Sequence, residues 1–107
     1  MAGKIARSEL MREQIRIYTI NKGGLDQFVT EWNERIRPLR EKLGFVIPAA
    51  WKVEATNQFV WIQRYEGNQS WEEADQAYFA SDERKSFNPD PARLIARMEQ
   101  YYADPVR

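Results

Sequence analysis

The sequence contains neither cysteine nor histidine. Those two absences remove disulfide bonds, thiolate nucleophiles and thiol redox chemistry, together with the usual ligands for zinc, copper and haem iron. An excess of either charge is missing too: lysine plus arginine and aspartate plus glutamate number 16 each. No basic stripe is interleaved with exposed aromatics, so the electrostatic footprint of a nucleic-acid binder is lacking and nucleic acid is not an expected partner. Long apolar runs are also absent. No stretch approaches the roughly 20 apolar residues of a membrane span. Residues 1–14 are charged throughout and lack the apolar run of a signal peptide. The expectation is a cytoplasmic protein with no metal site and no cofactor. Asn68-Gln69-Ser70 matches a glycosylation acceptor in form only, since no secretory signal accompanies it.

What is present fits one domain. A chain of 107 residues buries roughly two thirds of its unfolded surface, enough for a single modest core. Residues 1–13 read as an N-terminal extension with few large apolar side chains to dock, and residues 14–107 as the domain. Ile15, Ile17 and Thr19 alternate with Arg16, Tyr18 and Ile20, the period of a strand, and Gly23-Gly24 ends it. Leu25, Phe28, Val29, Trp32, Ile36, Leu39 and Leu43 then recur at helical spacing, giving an amphipathic helix. Its polar face is assigned to Glu31, Glu34, Arg35, Arg37, Arg40, Glu41 and Lys42, with Pro38 expected to kink it and Gly44 to cap its end.

Residues 45–54 and 58–66 are two further strands joined by a short Ala55-Thr56-Asn57 connection, an antiparallel hairpin. Pro48 cannot donate to a ladder, which places the first of them at a sheet edge or gives it a bulge. Ser70 and Glu73 have capping-box spacing and open a helix through Ala74, Ala77 and Tyr78 to about Arg84. After the Asn88-Pro89-Asp90-Pro91 turn, local periodicity favours helix slightly while topology favours a strand beside the first. The reading adopted is a turn of helix over 92–95 and a strand from about Arg97 to Ala103. The whole is an α+β chain of order β-α-β-β-α-β with a four-stranded antiparallel sheet.

Tyr18, Trp51, Trp61, Gln63 and Arg64 fall on the strands and Tyr78 on the second helix. Together they suggest an aromatic-lined volume with a few polar groups between sheet and helices, which describes a ligand pocket and equally a tryptophan-containing core. Arg16 and Arg64 on the strands need a carboxylate, from Glu54 and Glu66 or from a ligand. Glu72, Glu73 and Asp75 lie in the first turns of a helix, where the macrodipole alone accounts for carboxylates, so no metal site is assigned to them. With histidine and cysteine gone, a general acid or base must be Tyr, Asp, Glu or Lys, and Tyr18 and Tyr78 are the candidates; no catalytic residue is assigned. Two helices cover only one face of such a sheet, yet the strand over 59–62 is apolar on both faces and Ile15 and Ile17 back onto Tyr18 and Ile20. The sequence leaves open which face meets the helices, and a homodimer through the uncovered one is expected.

Residues 16–20 with Gly23-Gly24, then Trp32, residues 38–42, Trp51 and residues 61–66 give the chain a pattern that resembles the NIPSNAP family of the dimeric α/β-barrel superfamily. The resemblance spans about residues 14–104. It implies a ferredoxin-like monomer whose sheet pairs with a second copy and a small-molecule cleft between sheet and helices. The superfamily hosts cofactor-free oxygenases, haem proteins, isomerases and decarboxylases, so the fold alone does not settle function. Without histidine, histidine-ligated haem is out of reach. Two functions follow as expectations. One is a homodimer that holds a small apolar or aromatic molecule. The other is a metal-free enzyme of monooxygenase or cyclase type acting on an aromatic or polyketide-like substrate.

Overall fold

Strand β1, Glu13–Ile20, alternates as its sequence requires: Gln14, Arg16, Tyr18 and Ile20 are buried, and Ile15, Ile17 and Thr19 are half-buried on the opposite face. The computed structural model describes residues 12–106. The expected extension therefore lies almost wholly outside the described residues. Gly23 takes φ +82° in the turn after β1, a conformation that disfavours any side chain. Gly24 N–H donates to the Asn21 carbonyl at 2.9 Å and leads into helix α1.

Helix α1 runs through three consecutive segments, Leu25–Glu31, a π-helical turn Trp32–Ile36, and Arg37–Lys42. Pro38 has no N–H for the carbonyl of Glu34. The preceding turn widens so that Arg37 N–H donates to the Trp32 carbonyl, and the expected irregularity takes the form of a π-bulge. Gly44, at φ +98°, closes the helix by donating to the Glu41 carbonyl. Strands β2, Phe45–Val53, and β3, Gln58–Tyr65, form the hairpin through a 3-10 turn, with Asn57 left-handed at φ 55°. The β2 register shifts between Val46 and Ala49, around Pro48, and β2 is an edge strand.

Ser70 caps helix α2, Trp71–Ala80, by accepting from Glu73 N–H at 3.1 Å. The helix expected to reach Arg84 instead breaks at Ser81. Its ψ of 145° leaves the helical region, and its hydroxyl caps a separate short helix α3, Asp82–Lys85. A 3-10 turn over Pro91–Leu94 feeds strand β4, Ile95–Ala103, which starts two residues earlier than expected. The sheet is antiparallel throughout, in the order β2-β3-β1-β4, and β4 lies beside β1 as the topology argument required. This is a ferredoxin-like α+β fold.

The core lies between the sheet and α1, built from Tyr18, Ile20, Phe28, Trp32, Ile36, Ile47, Phe59 and Trp61 among others. Tyr18, Phe28, Trp32, Phe59 and Trp61 meet mainly edge to face at centroid separations from 4.9 to 6.2 Å. Such contacts add about 0.5–1.5 kcal/mol per pair beyond area burial. Among the described residues, no helix is long and apolar enough to cross a membrane.

Two residues of the expected solvated face are buried: Glu31 is 2% exposed and Arg40 1%. The spacing explains both, since Glu31 stands three residues after Phe28 and Arg40 four after Ile36, inside the apolar stripe. Glu31 is accommodated because Arg93 donates to both its oxygens, at 2.7 and 2.8 Å, and Gln27 to one at 2.6 Å. The Arg93 hydrogen bonds, foremost, hold its carboxyl at about 2 against 4.5 ordinarily. A depressed carboxylate contributes stability that is complete above the unfolded value and is lost as pH falls through the folded one. Arg93 is partly solvated, which screens the pair, so Glu31→Gln is expected to lower stability by about 2 kcal/mol at neutral pH. Chemical denaturation of both proteins from pH 7 to pH 2 checks this. The gap should close between about pH 4.5 and 2, and a gap independent of pH would contradict it.

Candidate functional site

The buried face of β1 and β3 carries polar side chains at one end. Gln14, Arg16 and Gln63 are 2%, 3% and 0% exposed, and they bond to one another. Arg16 Nε donates to Gln14 Oε1 at 2.7 Å, and Gln63 Nε2 donates to the same oxygen at 2.9 Å. From α1, Arg40 enters the same region, and from α2 comes Asp75. Arg40 donates to Asp75 Oδ1 at 2.5 Å, and Arg16 to Asp75 Oδ2 at 3.3 Å. Two buried guanidinium groups thus share one carboxylate, whose side chain is 23% exposed.

Aromatic faces complete the surroundings of Arg40. Its guanidinium carbon lies 3.8 Å from the Tyr78 ring centroid and 4.7 Å from that of Phe45. Burial, with the adjacent Arg16 charge, pulls the Arg40 pKa below its ordinary value, against the hydrogen bond to Asp75. Burial also raises the pKa of the Tyr78 hydroxyl, so at neutral pH this phenol is a hydrogen-bond donor and not a base.

Two neighbouring spaces lie here, with Phe79 in the lining of each. An inner cavity of about 60 Å³ is bordered by Arg16, Tyr18, Arg40, Trp61, Tyr78 and Phe79. An open groove of about 650 Å³ is bordered by Gln14, Glu72, Asp75, Phe79, Gln100 and Tyr102. Phe79 borders both, and Asp75 stands on the groove side of the arginines that it pairs. Among the described residues, no cluster of three or more His, Cys, Asp or Glu could hold a metal ion.

Of the six residues singled out in the sequence, four converge. Tyr18, Trp61 and Tyr78 border the inner cavity, and Gln63 belongs to the hydrogen-bonded end of the sheet. Trp51 and Arg64 do not join them. Trp51 pairs across from Val60 on β2 and is 50% exposed, bordering a separate shallow groove near Val29 and Arg37. Arg64 alternates onto the face opposite Gln63 and pairs with Glu66 at 2.5 Å and Glu13 at 3.7 Å. Glu66 thus serves Arg64 as expected, whereas Arg16 takes Asp75 and neither Glu54 nor Glu66.

The sequence matches the NIPSNAP family over residues 13–107. The chain belongs to the NIPSNAP family. Its fold is similar to that of a NIPSNAP family protein of unknown function from Agrobacterium tumefaciens, at 19% identity and a TM-score of 0.81, covering 92% of this chain and 91% of that one. A NIPSNAP domain protein from Burkholderia xenovorans is similar at 15% identity and a TM-score of 0.77, with 90% and 95% covered. An antibiotic biosynthesis monooxygenase is similar at 14% identity and a TM-score of 0.65, with 91% and 100% covered. At these identities the likeness concerns fold. A comparison with curated proteins finds no match.

Arg40, Asp75 and Phe79 of this NIPSNAP protein were not anticipated as site residues. Arg40 had a signal in its position on the apolar stripe, and so did Asp75, which lies one turn beyond the Trp71 that opens α2. Phe79 had none, since half of it is exposed. Tyr18 tests how tightly the cavity wall is tied to the core. Its hydroxyl accepts from Arg16 at only 3.3 Å, and Arg16 keeps its bonds to Gln14 and Asp75. Tyr18→Phe is therefore expected to lower stability by about 1 kcal/mol. A thermal melt showing a loss of about 3 kcal/mol would make this hydroxyl a fixed part of the core.

Proposed function

We propose that this NIPSNAP protein is a homodimer that binds a small aromatic molecule in the groove between sheet and helices. The observation that carries the reading is a pair of neighbouring spaces: an open groove against Phe79 and Tyr102, and an inner cavity walled by Tyr18, Trp61 and Tyr78 into which Arg16 and Arg40 bring the polar groups. Ligand sites commonly combine apolar walls with a few convergent polar groups in this way. Titration with 2-naphthol derivatives, followed by tryptophan fluorescence, tests it. Saturable quenching is expected, and it should weaken in Phe79→Ala, whose exposed side chain leaves the fold intact. No saturable response to any of them would contradict the reading.

A second reading, a metal-free enzyme of monooxygenase or cyclase type, draws on the likeness in fold to the antibiotic biosynthesis monooxygenase. Tyr78, held protonated, could then donate a hydrogen bond to an enolate oxygen. Recovery of bound ligand unchanged after aerobic incubation supports the binding protein, and consumption supports the enzyme.

The homodimer rests on the other side of the sheet. Ile15, Ile17, Val60 and Ile62 are half-buried there, Trp51 and Tyr101 are half-exposed, and α1 and α2 both pack on the opposite face. An apolar face of this kind is unusual on a monomer, and a second copy would bury about 1,200 Å² or more in total. Light scattering at micromolar concentration should give the mass of two chains, and Ile62→Arg should shift it toward one. A wild-type mass of one chain would contradict the dimer.

A further inference from the structure

We propose that the molecule taken into the groove is an anion, an aromatic carboxylate whose carboxylate seats in the inner cavity beside Arg16 and Arg40 while its ring lies in the outer groove. This rests on the reading of the groove as a ligand site and adds the charge and orientation of the ligand.

The first support is a charge imbalance. Arg16 and Arg40, with side chains 4% and 1% exposed, have Asp75 as their shared carboxylate. The other charges that border the space balance one another. Arg84 has its own partner in Asp90 at 3.1 Å, and Glu72 and Lys85 on the groove are of opposite sign. One buried positive charge is left over. The rings of Tyr78 and Phe45 offset part of it, but a ring face is a weaker partner than a carboxylate.

The second support is an excess of donors. Arg40 Nε and Trp61 Nε1 are buried without any acceptor, and both residues border the inner cavity. Buried donors are ordinarily paired, so unpaired ones beside a cavity mark where acceptor atoms belong. A carboxylate brings two oxygens with about four lone-pair sites and no donor, which matches that need. A neutral alcohol or amide would add a donor where donors are already in surplus.

The third support is size. The inner cavity, at about 60 Å³, admits a group of a few atoms and not a bicyclic ring, while the groove at about 650 Å³ admits the ring. Phe79, on the border between them, offers the ring a face.

Isothermal titration of the full chain with 2-naphthoate and its neutral isostere 2-naphthamide tests the proposal. The expected result is naphthoate binding at least about tenfold tighter, the scale of one charge-assisted hydrogen bond. Asp75→Asn removes the competing carboxylate and should widen the preference for naphthoate over naphthamide. Arg40→Gln should abolish the preference between the two. Equal affinities, or tighter naphthamide, would overturn the anionic ligand and leave the aromatic groove standing. Failure of both compounds to bind would overturn the two readings together. Should Arg40→Gln fail to fold, the wild-type comparison and Asp75→Asn still decide.

Discussion

Trp61→Ala is expected to lower the free energy of unfolding by about 3–5 kcal/mol, the usual range for deleting a buried tryptophan. Trp61 has no exposed surface, and it sits on β3, which pairs with β1 on one side and β2 on the other. Its indole touches Tyr18 and Trp32 at centroid separations of 6.2 and 5.4 Å, and Arg16 lies 5.5 Å from its ring. Truncation therefore opens a void against the aromatic cluster and removes one wall of the inner cavity. For a domain of this size each kcal/mol shifts the melting temperature by roughly 4–8 °C. A melt displaced by only a few degrees would show that this end of the core repacks freely.

Asp75→Asn leaves Arg16 and Arg40 buried without a counter-charge. Removing one partner of a fully buried pair costs about 3–5 kcal/mol. Partial solvation of Asp75 should reduce that to about 2–3 kcal/mol here. The loss should persist in high salt, because the arginines lie out of reach of mobile ions. Denaturant melts at 0.05 M and 1 M sodium chloride check it. An unchanged stability, or a loss that salt erases, would mean that the cluster behaves as an exposed ion pair.

The order of elements was legible because each boundary has a local cause: the glycine turn after Ile20, Gly44 after α1, Ser70 before α2, and Pro48 at the bulge of the edge strand. The strand at the C-terminus was legible only through topology. Its outward-facing Tyr101 and exposed Met98 give it no clean alternation. Ser81 hid its break because serine-aspartate-glutamate reads both as helix interior and as a new cap.

At the site, strand residues were read better than helix residues. Alternation separates Tyr18, Trp61 and Gln63 from Arg64, but β2 gives no such guide to Trp51, because the bulge at Pro48 changes the face of every residue after it. Arg40 was assigned to the surface by its charge, although its spacing from Ile36 places it inward. Its burial depends on Asp75, 35 residues away in sequence. Such a pairing leaves no trace in local periodicity.

The most direct measurement is a crystal structure of the protein grown with saturating 2-naphthoate. The account predicts the naphthalene ring against Phe79 in the groove, with a carboxylate oxygen within hydrogen-bonding distance of Arg40 Nε or Trp61 Nε1. Naphthoate bound elsewhere, or a groove that stays empty with Arg16, Arg40 and Asp75 unmoved, would contradict it.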